Sequence, residues 1–507
     1  MRTSTNVVAK VRQCLKSACK VSPLLSGEGQ GVRAYCARTI GVLRRYSRSP
    51  HPNPLPAGEG TKKGGSPTTL PKLCFHLAVS CAVIAISLMF LIYPAVTICT
   101  VLLDSRLRQT GQSRLTPMWF KSAAPRYISW ANMYLDTKYA QSIYHDDIPA
   151  TEWPMFGSVF VLVTADDLQQ RGEMDATQGT VREAVEKAAQ IVADPVTGTW
   201  VKTKWGSGYM DRENVFYRML LILGLSSYER TTGNAQYRAI MSRQRATLAE
   251  ELAKAKLNLR DDYPGECYPA DMLWAVAAIK RAARLEGVQH DELAKSLMAA
   301  FDGRVKAPEG LPAFQADSRS GAIIQGARGC ANSGLLLFAA ELDPKVASRW
   351  YSDYERGFWK DTGWIAGFTE MPRDMHSDFM DVDSGPVMFG VGSIASAFGI
   401  GAAKTAGRID HAAPLTMEAI AASWPTPFGP LIPGLMGRIA VKSWSLGEVA
   451  LLFSMTRPTL AAETVPFNGP TPRIVWILLA VYAGGGVFFI WFEIRSCRRL
   501  IRRYIGR

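Results

Sequence analysis

The sequence predicts an all-α protein, an (α/α)6 toroid of helical hairpins flanked by two transmembrane helices. Three observations carry this expectation. Two uncharged apolar runs, 73–103 and 474–492, lie towards the ends of the 507-residue chain, and each is long enough to cross a bilayer. Between them come about twelve helical patterns that alternate between apolar or Gly/Ala-rich members and charged ones, as an inner and an outer ring of helices require. No short repeat is detectable, which argues against a solenoid.

The two runs divide the chain into a basic tail over 1–72, a transmembrane helix over 73–103, a body over 104–472, a second transmembrane helix over 473–494 and a basic tail over 495–507. Of the net charge of +14, residues 1–73 contribute +11 and residues 495–507 contribute +6, which leaves 74–494 at −3. The basic surplus belongs to the tails, so the body has no electrostatic case for nucleic acid. Arginine at 495–507 sets the carboxyl terminus in the cytoplasm, two spans return the amino terminus to the same side, and the body is expected outside, in the periplasm of a bacterial inner membrane. The first tail is expected to be disordered. Its segment Ser22–Gly29 recurs almost unchanged as Asn53–Gly60, and the wording is similar to translated interspersed repeats of bacterial reading frames, so the start of translation is placed nearer residue 70.

Helices are expected over 122–144, 151–171, 179–193, 209–229, 234–257, 270–286, 290–302, 320–341, 344–360, 385–406, 413–423 and 443–455. The stretch 211–274 organises them. From Val215 to Leu225 only Arg218 is charged, so this helix belongs inside, whereas 234–257 carries Arg and Glu along its length and belongs outside. In the loop that follows, Pro264 and Pro269 bar a continuous helix. Asp271 becomes a first-turn position, where unsatisfied backbone N–H groups favour a carboxylate. Glu213, Glu266 and Asp271 are thereby gathered beside apolar helices, although Asp271 as a plain helix cap is an equal reading.

A second acidic loop, with Glu370, Asp374, His376, Asp378, Asp381 and Asp383, precedes another buried helix in the same way. Two loops of this placement suggest one shared mouth; a solvated capping loop is the plain alternative, and the spacing fits no calcium hand. The uncharged stretch 384–403 is long enough for a third span, but its Gly, Ala and Ser favour close packing in protein instead. Its Gly390-Val-Gly392-Ser-Ile-Ala395 matches a dinucleotide pattern without the surrounding βαβ unit. Cys267 and Cys330, the only cysteines of the body, are a disulfide or two buried thiols. No zinc spacing occurs, and no metal or cofactor is expected. Trp205, Tyr217, Tyr263, Tyr268 and Trp274, with Cys267, Glu370 and His376, are the candidate substrate-binding residues, since such rings stack on a sugar or line an isoprenoid pocket.

The run Arg212-Glu213-Asn214-Val-Phe-Tyr217, followed by Leu220, Gly224, Tyr228, Thr232-Gly233 and Tyr237, resembles a helix pair of the linalool dehydratase/isomerase family, an (α/α)6 barrel. The likeness extends more faintly to Tyr134-Leu135-Asp136 and to Asp381-Val-Asp383-Ser-Gly-Pro. That family transforms a tertiary terpene alcohol by acid–base chemistry with an Asp, a His and two Cys. The resemblance implies that Asp136 takes the place of the catalytic Asp. Met219 stands at the His position and Asp261 and Ala270 near the Cys positions, so fold and site carry over better than substrate.

Asp136, Glu213, Glu266, Asp271 and Asp383 are therefore the candidate catalytic residues of a membrane-anchored lyase or isomerase acting on a hydroxylated lipid or terpenoid. A glycan-active enzyme, with carboxylates roughly 5–5.5 Å or 6.5–9.5 Å apart, is the second class, and a non-catalytic envelope protein that binds a ligand is the third. The expected partners are the bilayer and a small-molecule, lipid or glycan substrate. No nucleic acid is expected, and a homo-oligomer is left open.

Overall fold

Helix α1 (Leu70–Ser87) passes through a π-helical turn at Leu88–Ile92 into α2 (Tyr93–Leu102). The computed structural model describes residues 70–143, 147–375, 381–431 and 446–505, so the tail expected over 1–72 lies, but for its last three residues, outside the described residues. The π turn has a local cause. Pro94 has no N–H to offer the carbonyl four residues back, and a wide turn is one way for a helix to absorb that loss.

The body follows as α3 (Leu115–Asp136), α4 (Trp153–Gln170), α5 (Gly179–Ala193), α6 (Val215–Thr232), α7 (Arg238–Lys254), α8 (Pro269–Glu286), α9 (Asp291–Asp302), α10 (Gly329–Leu342), α11 (Pro344–Phe358), α12 (Ser393–Thr405), α13 (Ile409–Ala422) and α14 (Leu446–Thr456). The chain then leaves through α15 (Arg473–Ile505). Four two-stranded antiparallel hairpins join helices: β1–β2 at 315–316 and 323–325, β3–β4 at 359–361 and 366–368, β5–β6 at 387–388 and 391–392, and β7–β8 at 425–426 and 429–430.

Local chemistry sets these boundaries. Pro269 opens α8 and Gly287, at φ 68°, closes it in the left-handed conformation. Asp343 caps α11 by accepting the N–H groups of Lys345 and Val346 at 2.9 and 3.0 Å. Helix α6 starts at Val215 rather than 209, because Glu213 and Asn214 both have positive φ, 35° and 52°, which a continuous helix does not allow. Two other expected starts also move inward. Residues 323–325 are a strand rather than the first turns of α10, and 387–392 form a hairpin before α12.

Packing follows the expected alternation. Helix α4 packs on α6, α6 on α8, α8 on α10, α10 on α12, α12 on α14, and α14 returns to α4. Outside this circuit, α5 lies on α4 and α6, α7 on α6 and α8, α9 on α8 and α10, α11 on α10, and α13 on α12. The Gly/Ala content of α12 has its explanation here: a Cβ on Gly401 would stand 2.4 Å from Leu337 of α10. The stretch 384–403 is therefore a hairpin and an inner helix, not a third span.

Two layers fill the circuit. In the middle, Phe160, Trp274, Phe338, Phe398 and Phe453 come from five of the six inner helices, while Phe216 in the first turn of α6 lies nearer the amino ends, against Phe156 and Tyr263. Phe160 stacks on Phe453 at 4.6 Å, Trp274 meets Phe338 edge-on at 4.7 Å, and Phe398 meets Phe160 and Phe453 at 5.9 and 6.4 Å. At the carboxyl ends of the helices lies a buried ion network. Arg457 pairs with Asp167 at 3.0 Å and with Glu341 at 2.6 Å, Arg281 pairs with Glu341 at 2.6 Å, and Arg230 pairs with Asp166. Cations near helix carboxyl ends also suit the backbone dipoles.

Two helices, Leu73–Leu102 and Arg473–Tyr504, are long and apolar enough to cross a membrane, and only 11% and 17% of their most apolar windows is buried. That exposure distinguishes them from the inner helices and supports association with a membrane.

Candidate functional site

The amino ends of the inner helices make the opposite face of the body, and acids collect there. Glu152 stands immediately before α4, where the chain breaks stride between a short helix ending at Thr151 and Trp153. Burial above all pushes its carboxyl up to about 7, helped by the charges of Asp383 and Glu266, while the hydrogen-bonding Tyr263 hydroxyl and the nearby Lys204 ammonium pull the other way. Tyr263 is held by its ring. It packs on Trp200 at 6.2 Å and Phe216 at 6.1 Å, and the Lys204 ammonium sits 4.9 Å over it.

Asp271 lies in the first turn of α8. Part of the residue is accessible, but its carboxyl is hemmed in by protein atoms; burial first, then the charges of Asp383 and Glu152, push it up to about 8. Beneath it, fully buried Asp262 accepts the Tyr268 N–H at 2.7 Å, and among the described residues its Oδ1 makes no hydrogen bond of ordinary geometry. Burial and the Asp271 charge raise this carboxyl as well. Such a group is most economically neutral, because an ionised oxygen buried without a donor is costly. Asp383 is exposed at the rim, yet burial and Asp381 raise it, and its charge reaches Glu152, Asp271, Tyr268 and Cys330. It links the two acidic loops.

Beside them is a thiol network. Arg328 binds Glu370 at 2.7 Å and grips Asp381 with both terminal nitrogens, at 2.8 and 3.1 Å. Glu370 in turn accepts the Cys330 N–H at 3.2 Å and lies 3.1 Å from its Sγ. Burial and then the Glu370 charge push the thiol far up, so Cys330 is a neutral donor here rather than a thiolate. The Arg328 guanidinium lies 4.4 Å over Phe314, whose ring meets Tyr268 at 5.3 Å, and the Tyr268 hydroxyl donates to Glu266 at 2.7 Å.

Of the sequence-predicted residues, Glu266, Asp271, Asp383, Tyr263, Tyr268 and Glu370 thus share one rim. Cys267 is buried beneath the same loop, and both it and Cys330 are free thiols. Glu213 points elsewhere: burial, then Asp261, raises its carboxyl, and its own N–H donates to Glu251 at 2.8 Å, which also holds Arg218. Asp136 is exposed at the last position of α3, an outer helix, and makes no side-chain hydrogen bond or ion pair among the described residues. Tyr217 is buried in the first turn of α6 against Tyr209 and Trp200, and the Trp205 carbonyl accepts from Arg212 at 2.8 Å; both support the loop. Trp274 lies deeper, its indole N–H donating to the Gly334 carbonyl at 2.8 Å. His376 lies outside the described residues.

Glu152 escaped the sequence reading, although the signal used for Asp271 was present. An acid precedes a Pro-led helix with no charge between Trp153 and Ala165. In the first turn of α4 the Phe156 ring lies 5.7 Å from Phe216 and 6.0 Å from Trp274, so the acid-bearing amino ends border the apolar interior. Carboxyls raised by different amounts in one neighbourhood are suited to divide acid and base roles.

No protein-family model matches this chain, and no curated protein matches it either.

Proposed function

We propose that this chain is a membrane-anchored enzyme that removes or relocates a hydroxyl group by acid–base catalysis, acting on a hydroxylated lipid or terpenoid-like substrate. The observation that carries the reading is the pair Asp271 and Glu152, pushed up to about 8 and about 7 above the aromatic layer. In this reading, protonated Asp271 gives its proton to the departing hydroxyl, the C–O bond breaks and water leaves. Glu152 as carboxylate takes a proton from the neighbouring carbon, whose electron pair forms the C=C bond. Return of the water to the other carbon gives the isomer. The closed circuit of inner helices with its outer partners supports reading the body as an (α/α)6 toroid, in keeping with the likeness to the linalool dehydratase/isomerase family. The acids differ from that likeness, with Glu152 acting in place of Asp136. The body lies outside the cytoplasm and both termini inside, on the arginine distribution.

A glycan-active enzyme is less well supported, because the rings below the acids are Phe156 and Phe216, with Trp274 buried and its N–H already engaged. The test is incubation of the full chain in nanodiscs with envelope lipid extract and with tertiary terpenoid alcohols, followed by mass spectrometry. Products lighter by one water, or isomers, are expected from the native chain, with at least a hundredfold loss in Asp271→Asn and Glu152→Gln. Turnover unchanged in both variants removes the pair from the mechanism.

A further inference from the structure

We propose that the rim bearing Glu152, Asp271 and Asp383 faces the bilayer, and that its exposed apolar hairpin tips lie among the acyl chains of the membrane the anchors cross. The orientation follows from where the anchors join the body. Helix α13 runs antiparallel to α12, whose amino end is at the rim, so Trp424, just past α13, is at the rim too. Its indole N–H donates to the Phe90 carbonyl at 2.8 Å. From Phe90 onward the first anchor descends along α13 as α2, until a Cβ on Gly111 would stand 3.2 Å from Ile409, at the far end of that helix. From Phe90 backward, α1 therefore lies beyond the rim, where it packs on α15. The second anchor agrees: Tyr482 meets the Ala421 carbonyl at 3.5 Å and the Trp424 ring at 5.9 Å, and α15 continues from there to Ile505. Some twenty residues of α1 project past the rim, about 30 Å at helical rise, and the apolar run of α15 continues past it from Tyr482 to Phe492 before the charged end.

The lipid boundary can be placed against this frame. The apolar run of α15 begins after Arg473, whose guanidinium lies 5.1 Å over the half-exposed Trp364, while the Ile474 N–H donates to the Trp364 carbonyl at 3.0 Å. A cation and a tryptophan at one level are what a headgroup layer selects. Tyr482 is nine residues further along, about 13 Å at helical rise, so the Trp424 side of the rim is on the lipid side of that boundary.

The tips fit this depth. Phe389 is 82% exposed, Met388 64% and Phe428 53%. Phe389 and Gly390 form the two-residue turn of β5–β6, at φ 55° and 79°, a left-handed pair that favours Asn-Gly. A phenylalanine kept in that backbone conformation and turned out of the protein has lipid as its natural surrounding. Lys360 donates to the Phe389 carbonyl at 2.8 Å, which brings an ammonium to the same tip, as at a membrane interface. For the substrate, the inference rests on the catalytic reading above: it narrows the class to molecules dissolved in the leaflet, which reach the rim sideways. The orientation itself does not depend on that reading.

The experiment uses the full chain in nanodiscs of phosphatidylcholine and phosphatidylglycerol doped with a phospholipid that carries a diazirine in its acyl chain. After irradiation and digestion, adducts are mapped by mass spectrometry. Adducts are expected at 387–392 and 425–430 as well as on both anchors, and are expected to be lacking at the opposite end, including the partly exposed apolar Leu460 and Val465. The Phe389→Asp, Phe428→Asp double variant should lose at least tenfold of the tip labelling while its anchors label and its helical signal melts as in the native chain. Adducts confined to the anchors, or equal at both ends of the body, overturn the proposal. No turnover is measured, so this result and failure of the catalytic reading are told apart.

Discussion

Trp424 donates its indole N–H to the carbonyl of Phe90 at 2.8 Å, and Phe90 is the residue four before Pro94. The carbonyl that proline leaves without its helical partner is thus satisfied from the body, which ties the anchor to α13 at one definite height.

Replacing Trp424 with Phe should leave that carbonyl unpaired in an apolar setting, at a cost of about 1–3 kcal/mol. Thermal unfolding of the full chain in nanodiscs measures it. Pro94→Ala in the same background restores an N–H at residue 94 and should recover most of the loss; a loss that the second substitution does not reduce assigns Trp424 a packing role only.

Glu341 is held by Arg281 at 2.6 and 2.9 Å and by Arg457 at 2.6 Å. Although burial opposes ionisation, these two guanidinium groups hold its carboxyl down to about 2. Glu341→Gln leaves two buried cations short of a counter-charge, and a loss of about 3–5 kcal/mol is expected from denaturant unfolding. Because the folded value is depressed, the native contribution is complete above the ordinary glutamate range and disappears as pH falls through about 2. The variant should lack that acid-dependent part.

Asp271 and Glu152 have the opposite sign. Their folded values are raised, so their favourable contribution is complete below the ordinary carboxyl range and is lost as pH rises through about 7 and about 8. The melting temperature should fall between pH 5 and pH 9, and Asp271→Asn should flatten that slope by several degrees. Activity, once a substrate is in hand, should follow a narrow bell with limbs near these values, which belong to the pair together.

Burial raises the thiols of Cys267 and Cys330. Iodoacetamide at pH 8 should modify neither in the folded chain and both after denaturation, as read by peptide mass spectrometry. Rapid alkylation of Cys330 in the folded state would show that Glu370 and Arg328 do not enclose it as described.

Long periodic elements were legible in the sequence. Helix α8 runs from Pro269 to Glu286, against an expected 270–286, because a proline and a glycine bracket it; α6 was identifiable as internal from its lack of a polar face. The hairpins were not, since strands of two or three residues carry no period. The nearness of the two acidic loops follows from their placement before buried helices, and the charge of Asp383 reaches Asp271. Glu213 is set by its positive φ, invisible in the sequence, so that its N–H meets Glu251. Asp136, chosen by resemblance, sits on an outer helix whose last turn points to solvent.

The buried ion network at the carboxyl ends of the inner helices has a consequence for traffic. Arg457, Glu341, Arg281 and Asp167 close one end of the bundle beneath the aromatic rings, so under the catalytic proposal a substrate would have to come and go at the acidic end alone, and a long-tailed product slow to leave would throttle its own successor.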